Sequence, residues 1–337
     1  MAATIKDIAQ RTGLGLATIS SYLNGGNVRD KNRVKIEAAI EELHFEVNEV
    51  ARGLKTNKTH TIGVVIPELN NIFCSEVITS MEDILRNHGY ATIVCDCRTD
   101  KRLEHEAVDF LSRKRVDAII NMPVDTTGRH LEDFRKSGKP IVLIDRKIKA
   151  LNCDCVFVDN LTAARNAVEL LVERGHQHIG VLTGPEDIFT VQERMKGYWQ
   201  VLKEHKIPAR KKLIYHGDYT MADSVQGMEK LIRENPKMTA VFATNYETTM
   251  GAVIGANELG IHIPDRLSLV GFDNLQFARA CHPKLTIVTQ PTHEIGVHVA
   301  KLVLKRLHEK NDRERQPFYD KLQTDMILGN SVLLQRH

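Results

Sequence analysis

From Thr61 onward the chain alternates short apolar runs rich in β-branched residues with longer helical stretches, and that alternation admits few folds. Strand candidates are Ile62 to Ile66, Ala91 to Cys95, Val116 to Asn121, Pro140 to Ile144, Val156 to Val158, His178 to Leu182, Leu213 to Tyr215, Ala240 to Ala243, Leu267 to Val270 and Leu285 to Val288. Helices fill the gaps, as a doubly wound α/β fold requires. With 337 residues, 42% of them hydrophobic and 26% charged, the chain is long enough for two or three domains with real cores.

The first sixty residues follow a different rule. Thr4 with Asp7 makes a capping-box-like start, Ile5, Ile8 and Ala9 give one apolar face, and Gly13 stops the helix. In the next run, Leu16 to Asn24, Ile19 and Leu23 fall on a buried face, leaving Leu16, Ala17, Ser20, Ser21 and Asn24 outward. Asp30 can cap a third helix whose Ile36, Ala39, Ile40 and Leu43 close the core. The spacing fits a helix-turn-helix module as well as it fits a plain three-helix bundle. Small outward side chains on the second helix admit close approach to base edges and phosphates. The net charge of +3 says little, but its distribution says more. Lys6, Arg11, Arg29, Lys31, Arg33 and Lys35 precede an acidic group at Glu37, Glu41, Glu42, Glu46 and Glu49, so basic and acidic faces are segregated.

Between these regions lies Ala51-Arg52-Gly53-Leu54. Residues 45 to 60 hold too few apolar groups to keep a helix in isolation, so a helix there is expected mainly on DNA. An exposed leucine beside arginine and lysine suits prying open a base step from the minor groove. Folding on binding makes affinity sensitive to how the following domains hold two such segments together.

Several segments resemble the lactose-repressor (LacI/GalR) family in order and spacing: Thr4-Ile-Lys-Asp-Ile-Ala, Ala17-Thr-Ile-Ser, Tyr22-Leu-Asn-Gly, Val50-Ala-Arg-Gly-Leu, Thr61-Ile-Gly-Val-Val-Ile-Pro, Arg194-Met-Lys-Gly-Tyr, Val270-Gly-Phe-Asp-Asn and Leu285-Thr-Ile-Val-Thr-Gln-Pro. The resemblance spans nearly the whole chain. It implies an amino-terminal all-α helix-turn-helix DNA-binding domain over 1–45 and a hinge helix and linker over 46–60. A two-lobed, periplasmic-binding-protein-like domain of doubly wound parallel sheets would follow. The first lobe is expected at 61–159 with 291–320 and the second at 160–290 with 321–337, joined by three chain crossings. Such a protein is a homodimeric transcriptional regulator, usually a repressor, on a pseudo-palindromic operator in double-stranded DNA.

By the same resemblance Leu16, Ala17 and Ser21 stand where the family reads major-groove bases, Thr18 and Ser20 where it holds backbone, and Ala51 and Leu54 where it enters the minor groove. Thr4, Asn24 and Lys55 complete the expected DNA-binding set. Many members carry arginine in place of Ser21 and serine in place of Gly15 and Arg29, so no relative's operator can be copied.

Ligands of open α/β sheets collect at the carboxy ends of the strands. The loops there hold Asn71, Phe73, Asp125, Asp145 and Arg146 in the first lobe, and Asp187, Arg194, Tyr219, Asn245 and Asp273 in the second, with Gln290 at a crossing. Carboxylate, guanidinium and amide groups pair with hydroxyls, while Phe73 and Tyr219 offer apolar faces, so a small sugar-like effector fits. Arg194, Asn245 and Asp273 match positions that contact ligand in the family. The family often has aspartate after the asparagine, whereas this chain reads Asn245-Tyr246-Glu247, an expected loss of a carboxylate from the site.

Two alternatives keep the fold but change the effector: a purine-type ligand, or a phosphorylated carrier-protein corepressor, because Asn71-Ile-Phe resembles the catabolite-control branch. A non-DNA-binding sugar receptor would lack the helical module and needs an export signal, which the amino terminus does not show. No apolar run reaches the roughly 20 residues of a membrane span, so a cytoplasmic location is expected. The chain shows no catalytic constellation, so no enzyme and no cofactor are expected. The pairs Cys95/Cys97 and Cys153/Cys155 alternate as strand residues facing one side and lack tetrahedral spacing, so no metal is assigned. Absence of a terminal leucine heptad favours a dimer over a tetramer.

Leu54→Ala is expected to weaken specific operator binding much more than non-specific binding, whose driving force is phosphate neutralisation. Anisotropy titrations on operator and scrambled duplex measure both, and equal losses would make Leu54 a merely structural leucine.

Overall fold

A computed structural model describes residues 3–46, 58–309 and 316–335. The chain divides between His60 and Thr61 into two compact units. Ala51, Leu54 and Lys55 lie outside the described residues.

The first unit contains helices α1 (Ile5–Thr12), α2 (Leu16–Leu23) and α3 (Asp30–Leu43). Thr4 starts α1 by donating its backbone N–H and its hydroxyl to Asp7 Oδ2, each at 2.7 Å. Gly13 ends it with φ +68°, a left-handed conformation that glycine adopts without a Cβ clash. Ile8, Ile19 and Ile36 are fully buried, one from each helix, with Ala39 beside them. Each such burial contributes roughly 1.5–3 kcal/mol. Two polar clamps tie α3 to its neighbours: Arg11 to both oxygens of Glu42, and the Tyr22 hydroxyl to Glu37 Oε1 at 2.9 Å.

In the second unit, β1 (Thr61–Ile66), β2 (Ala91–Asp96), β3 (Ala118–Asn121), β4 (Ile141–Ile144) and β5 (Asp154–Val158) form one sheet. A second sheet comprises β6 (Ile179–Thr183), β7 (Ile214–His216), β8 (Ala240–Ala243), β9 (Ser268–Phe272) and β10 (Thr286–Thr289). The chain then returns, adding β11 (Tyr319–Leu322) to the first sheet and β12 (Asp325–Ile327) to the second. The orders are β11-β5-β4-β3-β1-β2 and β12-β10-β9-β8-β6-β7. All pairs are parallel except β10 with β12.

Alternate strand residues face opposite helical layers. Ile62, Val64 and Ile66 pack under α4 (Ile72–Asn87), whereas Val65 faces the layer of α5 (Lys101–Arg113). The second sheet repeats the plan, with Ala240 and Phe242 on the side of α7 (Asn160–Glu173) and α8 (Phe189–Glu204), and Val241 and Ala243 on that of α9 (Met221–Glu234) and α10 (Tyr246–Glu258). Short helices α6 (Glu132–Lys136) and α11 (Leu275–Ala280) complete the loops, and α12 (Thr292–His308) returns to the first sheet. At its crossing with α4, a Cβ on Gly296 would lie 2.6 Å from that of Ser80. Only glycine permits this approach.

Two expectations need correction. The sequence reading has no strand after Val288, yet β11 and β12 form there; β11 is a short, polar, half-exposed edge strand without an apolar run to mark it, and β12 is only three residues long. The third crossing therefore falls after Leu322, two residues beyond the expected boundary at 320, because β11 pairs along its length with β5. Cys97, Cys153 and Cys155 are buried together in the apolar layer of α5, with Cys95 packed against it. Burial pushes the Cys97 and Cys153 thiols up to about 12.

Arg306 on α12 is fixed to Asp154 on β5 by two hydrogen bonds of 2.6 and 2.8 Å, both side chains being nearly buried. Asp154 also accepts the Phe318 N–H, so one carboxylate anchors the returning helix and the approach to β11. Asp154→Ala is expected to lower stability by about 3 kcal/mol, the low end for breaking a buried pair, since Glu309 remains at 2.8 Å from Arg306. Urea unfolding of the two proteins reads this as a shift in midpoint at unchanged slope.

Candidate functional site

The carboxy ends of the two sheets face each other across a crevice of about 340 Å3. The matched loops after β4 and β9 supply two of its acids: Asp145 and Asp273 both adopt φ +64°, and their N–H groups bond to the next strand, at Val156 O and Val288 O. Tyr219, after β7, has φ +69°. Left-handed backbone at such residues costs about 1–3 kcal/mol each, and strain of this kind gathers where side chains are aimed at a ligand. The Tyr219 ring lies over Gly184, where a Cβ would come within 2.3 Å of it.

Arg194 enters from α8 and is held rigidly. Its Nε donates to Asn160 Oδ1 at 2.8 Å, its Nη1 donates to the Thr244 carbonyl, and its guanidinium carbon stands 3.9 Å from the centre of the Phe272 ring. Asp273 accepts from Gln290 Nε2 at 2.7 Å. Burial pushes the Asp273 carboxyl up, the Arg194 charge and Gln290 pull it back, and the outcome is about 6. Four buried polar atoms of the crevice residues have no hydrogen-bond partner: Asp145 Oδ1, Arg146 Nε, Tyr219 Oη and Gln290 Oε1, although Arg146 Nε is ion-paired with Asp145 Oδ2 at 3.6 Å. Groups of this kind favour a ligand that both donates and accepts.

Nine of the eleven expected effector residues line this space: Asn71, Phe73, Asp145, Arg146, Arg194, Tyr219, Asn245, Asp273 and Gln290. Two do not. Asp125 is turned inward against His105 and His130 of its own lobe, and Asp187 is an exposed residue paired with Lys101 at 3.2 Å. A third correction concerns the carboxylate thought missing beside Asn245. Tyr246 packs edge-on against Phe277, and Glu247 lines the crevice instead. Asn245 caps α10 by accepting the Thr248 N–H at 2.9 Å, and the first helical turn then swings Glu247 inward.

Glu247 joins the lobes. Its Oε1 accepts from Asn71 Nδ2 of the first lobe at 2.7 Å and its Oε2 from Asn245 Nδ2 of the second at 2.6 Å. Burial pushes its carboxyl up to about 7, against the pull of its own backbone N–H and of Asn71. Glu68, absent from the expected set, also lines the crevice; it stands two residues after the end of β1, so the strand-end rule that points to Asn71 covers it too.

In the first unit, Leu16 is 46% exposed, Ala17 is exposed, and Thr18, Ser20 and Ser21 are half-buried on α2. Gly15 offers this helix start no side-chain cap. Two of the expected DNA contacts have internal duties: Thr4 caps α1, and Asn24 Nδ2 donates to the Ser20 carbonyl at 2.6 Å.

Comparison with known proteins agrees with this arrangement. Residues 4–48 match the family model of bacterial regulatory proteins, lacI family, and residues 59–319 match that of periplasmic binding proteins and the sugar-binding domain of the LacI family. The chain is 34% identical over 312 residues to catabolite control protein A of Priestia megaterium, covering 92% of this chain and 94% of that one. The solved complex of the transcriptional regulator CelR with cellobiose is similar at a TM-score of 0.73 and 26% identity, covering 98% and 99% of the two chains. The lac repressor dimer bound to operator and the anti-inducer ONPF gives a TM-score of 0.86 at 23% identity over 99% and 100%, a likeness of fold.

The raised Glu247 carboxyl has a defined effect on stability. A carboxyl whose folded value, about 7, exceeds its ordinary 4.5 favours the folded state fully below about 4.5 and loses that contribution as the pH rises through 7. Relative to wild type, Glu247→Gln is therefore expected to gain thermal stability between pH 5 and pH 8. Paired melts across this range check it, and a constant difference would place the residue in a solvated setting.

Proposed function

The chain belongs to the LacI family of bacterial regulatory proteins, and we propose that it is a homodimeric repressor whose hold on a pseudo-palindromic operator is set by a neutral sugar in the interlobe crevice. The observation that carries the sugar is the character of the lining. Glu68, Asp145, Asp218, Glu247 and Asp273 face Arg98, Arg146 and Arg194, an excess of acids that opposes a phosphorylated or otherwise anionic ligand. Carboxylates accept from sugar hydroxyls, guanidinium groups donate to them, and Phe73 and Tyr219 supply the apolar faces.

A purine-type ligand fits this lining less well, since it would bring a flat apolar surface to a site rich in charge. The carrier-protein alternative rested on Asn71-Ile-Phe; here the Asn71 amide is engaged with Glu247, and Phe73 is buried in the crevice wall. Regulation rather than catalysis is the reading of the crevice chemistry. Its thiol, Cys74, is pushed up to about 12 by burial and touches Met122 Sδ at 3.7 Å, so it has no thiolate character. A cytoplasmic location accords with an operator as the target.

In the proposed mechanism the sugar closes the lobes, alters the packing of the first lobes in the dimer, and so changes hinge docking on DNA. Linkage then requires that operator change sugar affinity by the factor by which sugar changes operator affinity. A thermal-shift screen of pentoses, hexoses and disaccharides beside their phosphates should select a neutral sugar, because a ligand of the native state raises apparent stability. Calorimetry of that sugar with and without operator should then give unequal affinities. A preference for phosphates would overturn the ligand class, and equal affinities would overturn the coupling.

A further inference from the structure

We propose that the first lobe carries a second ligand site, a divalent transition-metal site formed by His105 Nε2, Asp125 Oδ2 and His130 Nδ1. None of these residues lines the interlobe crevice. They come from three segments: α5, the loop after β3, and a 3-10 turn at Arg129–Leu131. Their ligand atoms all lie within 4.8 Å of one another.

A tetrahedral ion with metal–nitrogen distances near 2.0–2.1 Å sets its ligand atoms about 3.4 Å apart. Asp125 Oδ2 stands 2.7 Å from His105 Nε2 and 3.7 Å from His130 Nδ1, which brackets that spacing. The gap between the histidine nitrogens must narrow and the 2.7 Å contact of His105 Nε2 with Asp125 Oδ2 must widen. The half-exposed His105 ring, stacked on His130 with centroids 4.8 Å apart, has room to move.

Glu104 fixes the tautomer of His130. Its carboxyl is buried, and it accepts the Asn121 amide at 2.9 Å and the backbone N–H groups of Val124 and Asp125. Both of its oxygens thus accept N–H donors, and the tautomer this favours has the proton on His130 Nε2, 3.1 Å from Oε1. In that tautomer Nδ1 presents its lone pair toward Asp125. That nitrogen has no hydrogen-bond partner, and its side chain is 1% exposed. Asp125 Oδ1 accepts the Thr127 N–H at 2.8 Å, which leaves Oδ2 to the two histidines.

A lone pair facing a carboxylate in a buried pocket is repulsive unless a cation lies between them. A proton is the poorer cation, because the 3.7 Å separation is too long for an N–H···O hydrogen bond. A metal ion fits that separation, and the Glu104–His130 pair is the carboxylate–histidine support that metal-bound imidazoles commonly have. Two imidazoles and one carboxylate favour Zn2+ or Ni2+ over Mg2+ or Ca2+. The exposed side of His105 leaves access for the ion and for a bound water.

The test uses the tag-free full chain, stripped with a chelator and titrated calorimetrically with Zn2+ and Mg2+, with Co2+ as a spectroscopic probe. One Zn2+ per chain is expected, with no Mg2+ response and a Co2+ spectrum free of thiolate charge-transfer absorption. His105→Ala, at a half-exposed position that the fold tolerates, should weaken Zn2+ binding at least tenfold with an unchanged circular dichroism spectrum. Glu104→Gln should weaken it roughly 10–100-fold, as loss of the support to a metal-bound imidazole does. Less than one ion per chain, equal Zn2+ affinity in wild type and His105→Ala, or a thiolate band placing the ion at the cysteines would overturn the proposal.

Discussion

The central strands of both sheets are covered by helices on both faces, and nearly everything else follows from that constraint. Buried on both sides, Ile62–Ile66, Ile141–Ile144 and Ser268–Phe272 leave no room for charged side chains except where the ladder stops. Polar chemistry is therefore displaced to the carboxy ends of the strands, where the helix starts also present N–H groups. The crevice and the His105–Asp125–His130 cluster both stand there, the first between the sheets and the second inside one of them. Asn121 at the end of β3 shows the switch within a single strand: fully buried, it donates its amide to Glu104 rather than continuing the apolar run.

How far the sequence discloses these sites depends on the range of the interaction. Strand ends are local features, so the run after each β-branched stretch leads directly to Asn71, Asp145, Tyr219 and Asp273, whereas Arg194, expected in a loop, reaches the crevice from within α8. The role of Asp125 is not local. Its backbone leaves a strand end like the others, but Glu104, some twenty residues earlier on α5, captures its N–H at 2.6 Å and turns its carboxylate away from the crevice. Nothing in the spacing of Glu104 and Asp125 marks that capture. Glu247 is an intermediate case: the asparagine before it was read correctly as a strand-end residue, but the capping geometry that points the second following side chain inward is visible only once Asn245 is seen bonded to Thr248.

The edge strands fail for the opposite reason. β11 is Tyr-Asp-Lys-Leu, whose exposed and half-buried residues alternate without an apolar run, and only its pairing with β5 makes it a strand. A polar edge also discourages pairing with another chain, so the feature that hides β11 from a pattern search protects the sheet. Cysteine spacing, by contrast, was a reliable guide to burial and a poor one to metal chemistry. The thiols sit in the apolar layer, while the residues with metal-ligand geometry are two histidines and an aspartate whose sequence positions suggest no motif.

On the proposed mechanism, the lobes must be held weakly enough by the protein itself for a small ligand to decide their position. The contacts that span them include the Asn71–Glu247 hydrogen bond and the exposed Lys101–Asp187 pair. An exposed ion pair contributes about 0–1 kcal/mol. The hydrogen bond is offset by burial of a carboxyl that burial pushes toward neutrality. Against these stand four buried polar atoms without hydrogen bonds, two of them on the charged pair Asp145 and Arg146. Hydrogen bonds contribute about 0.5–1.5 kcal/mol when neutral and about 1.5–3 when charged. A sugar that satisfied all four would therefore supply several kcal/mol, comparable to the roughly 5.5 kcal/mol of differential binding that carries a two-state equilibrium from 1:99 to 99:1. Strained backbone at Asp145, Tyr219 and Asp273 serves the same end: it holds the polar groups in place before the ligand arrives, so little of that energy is lost in ordering them.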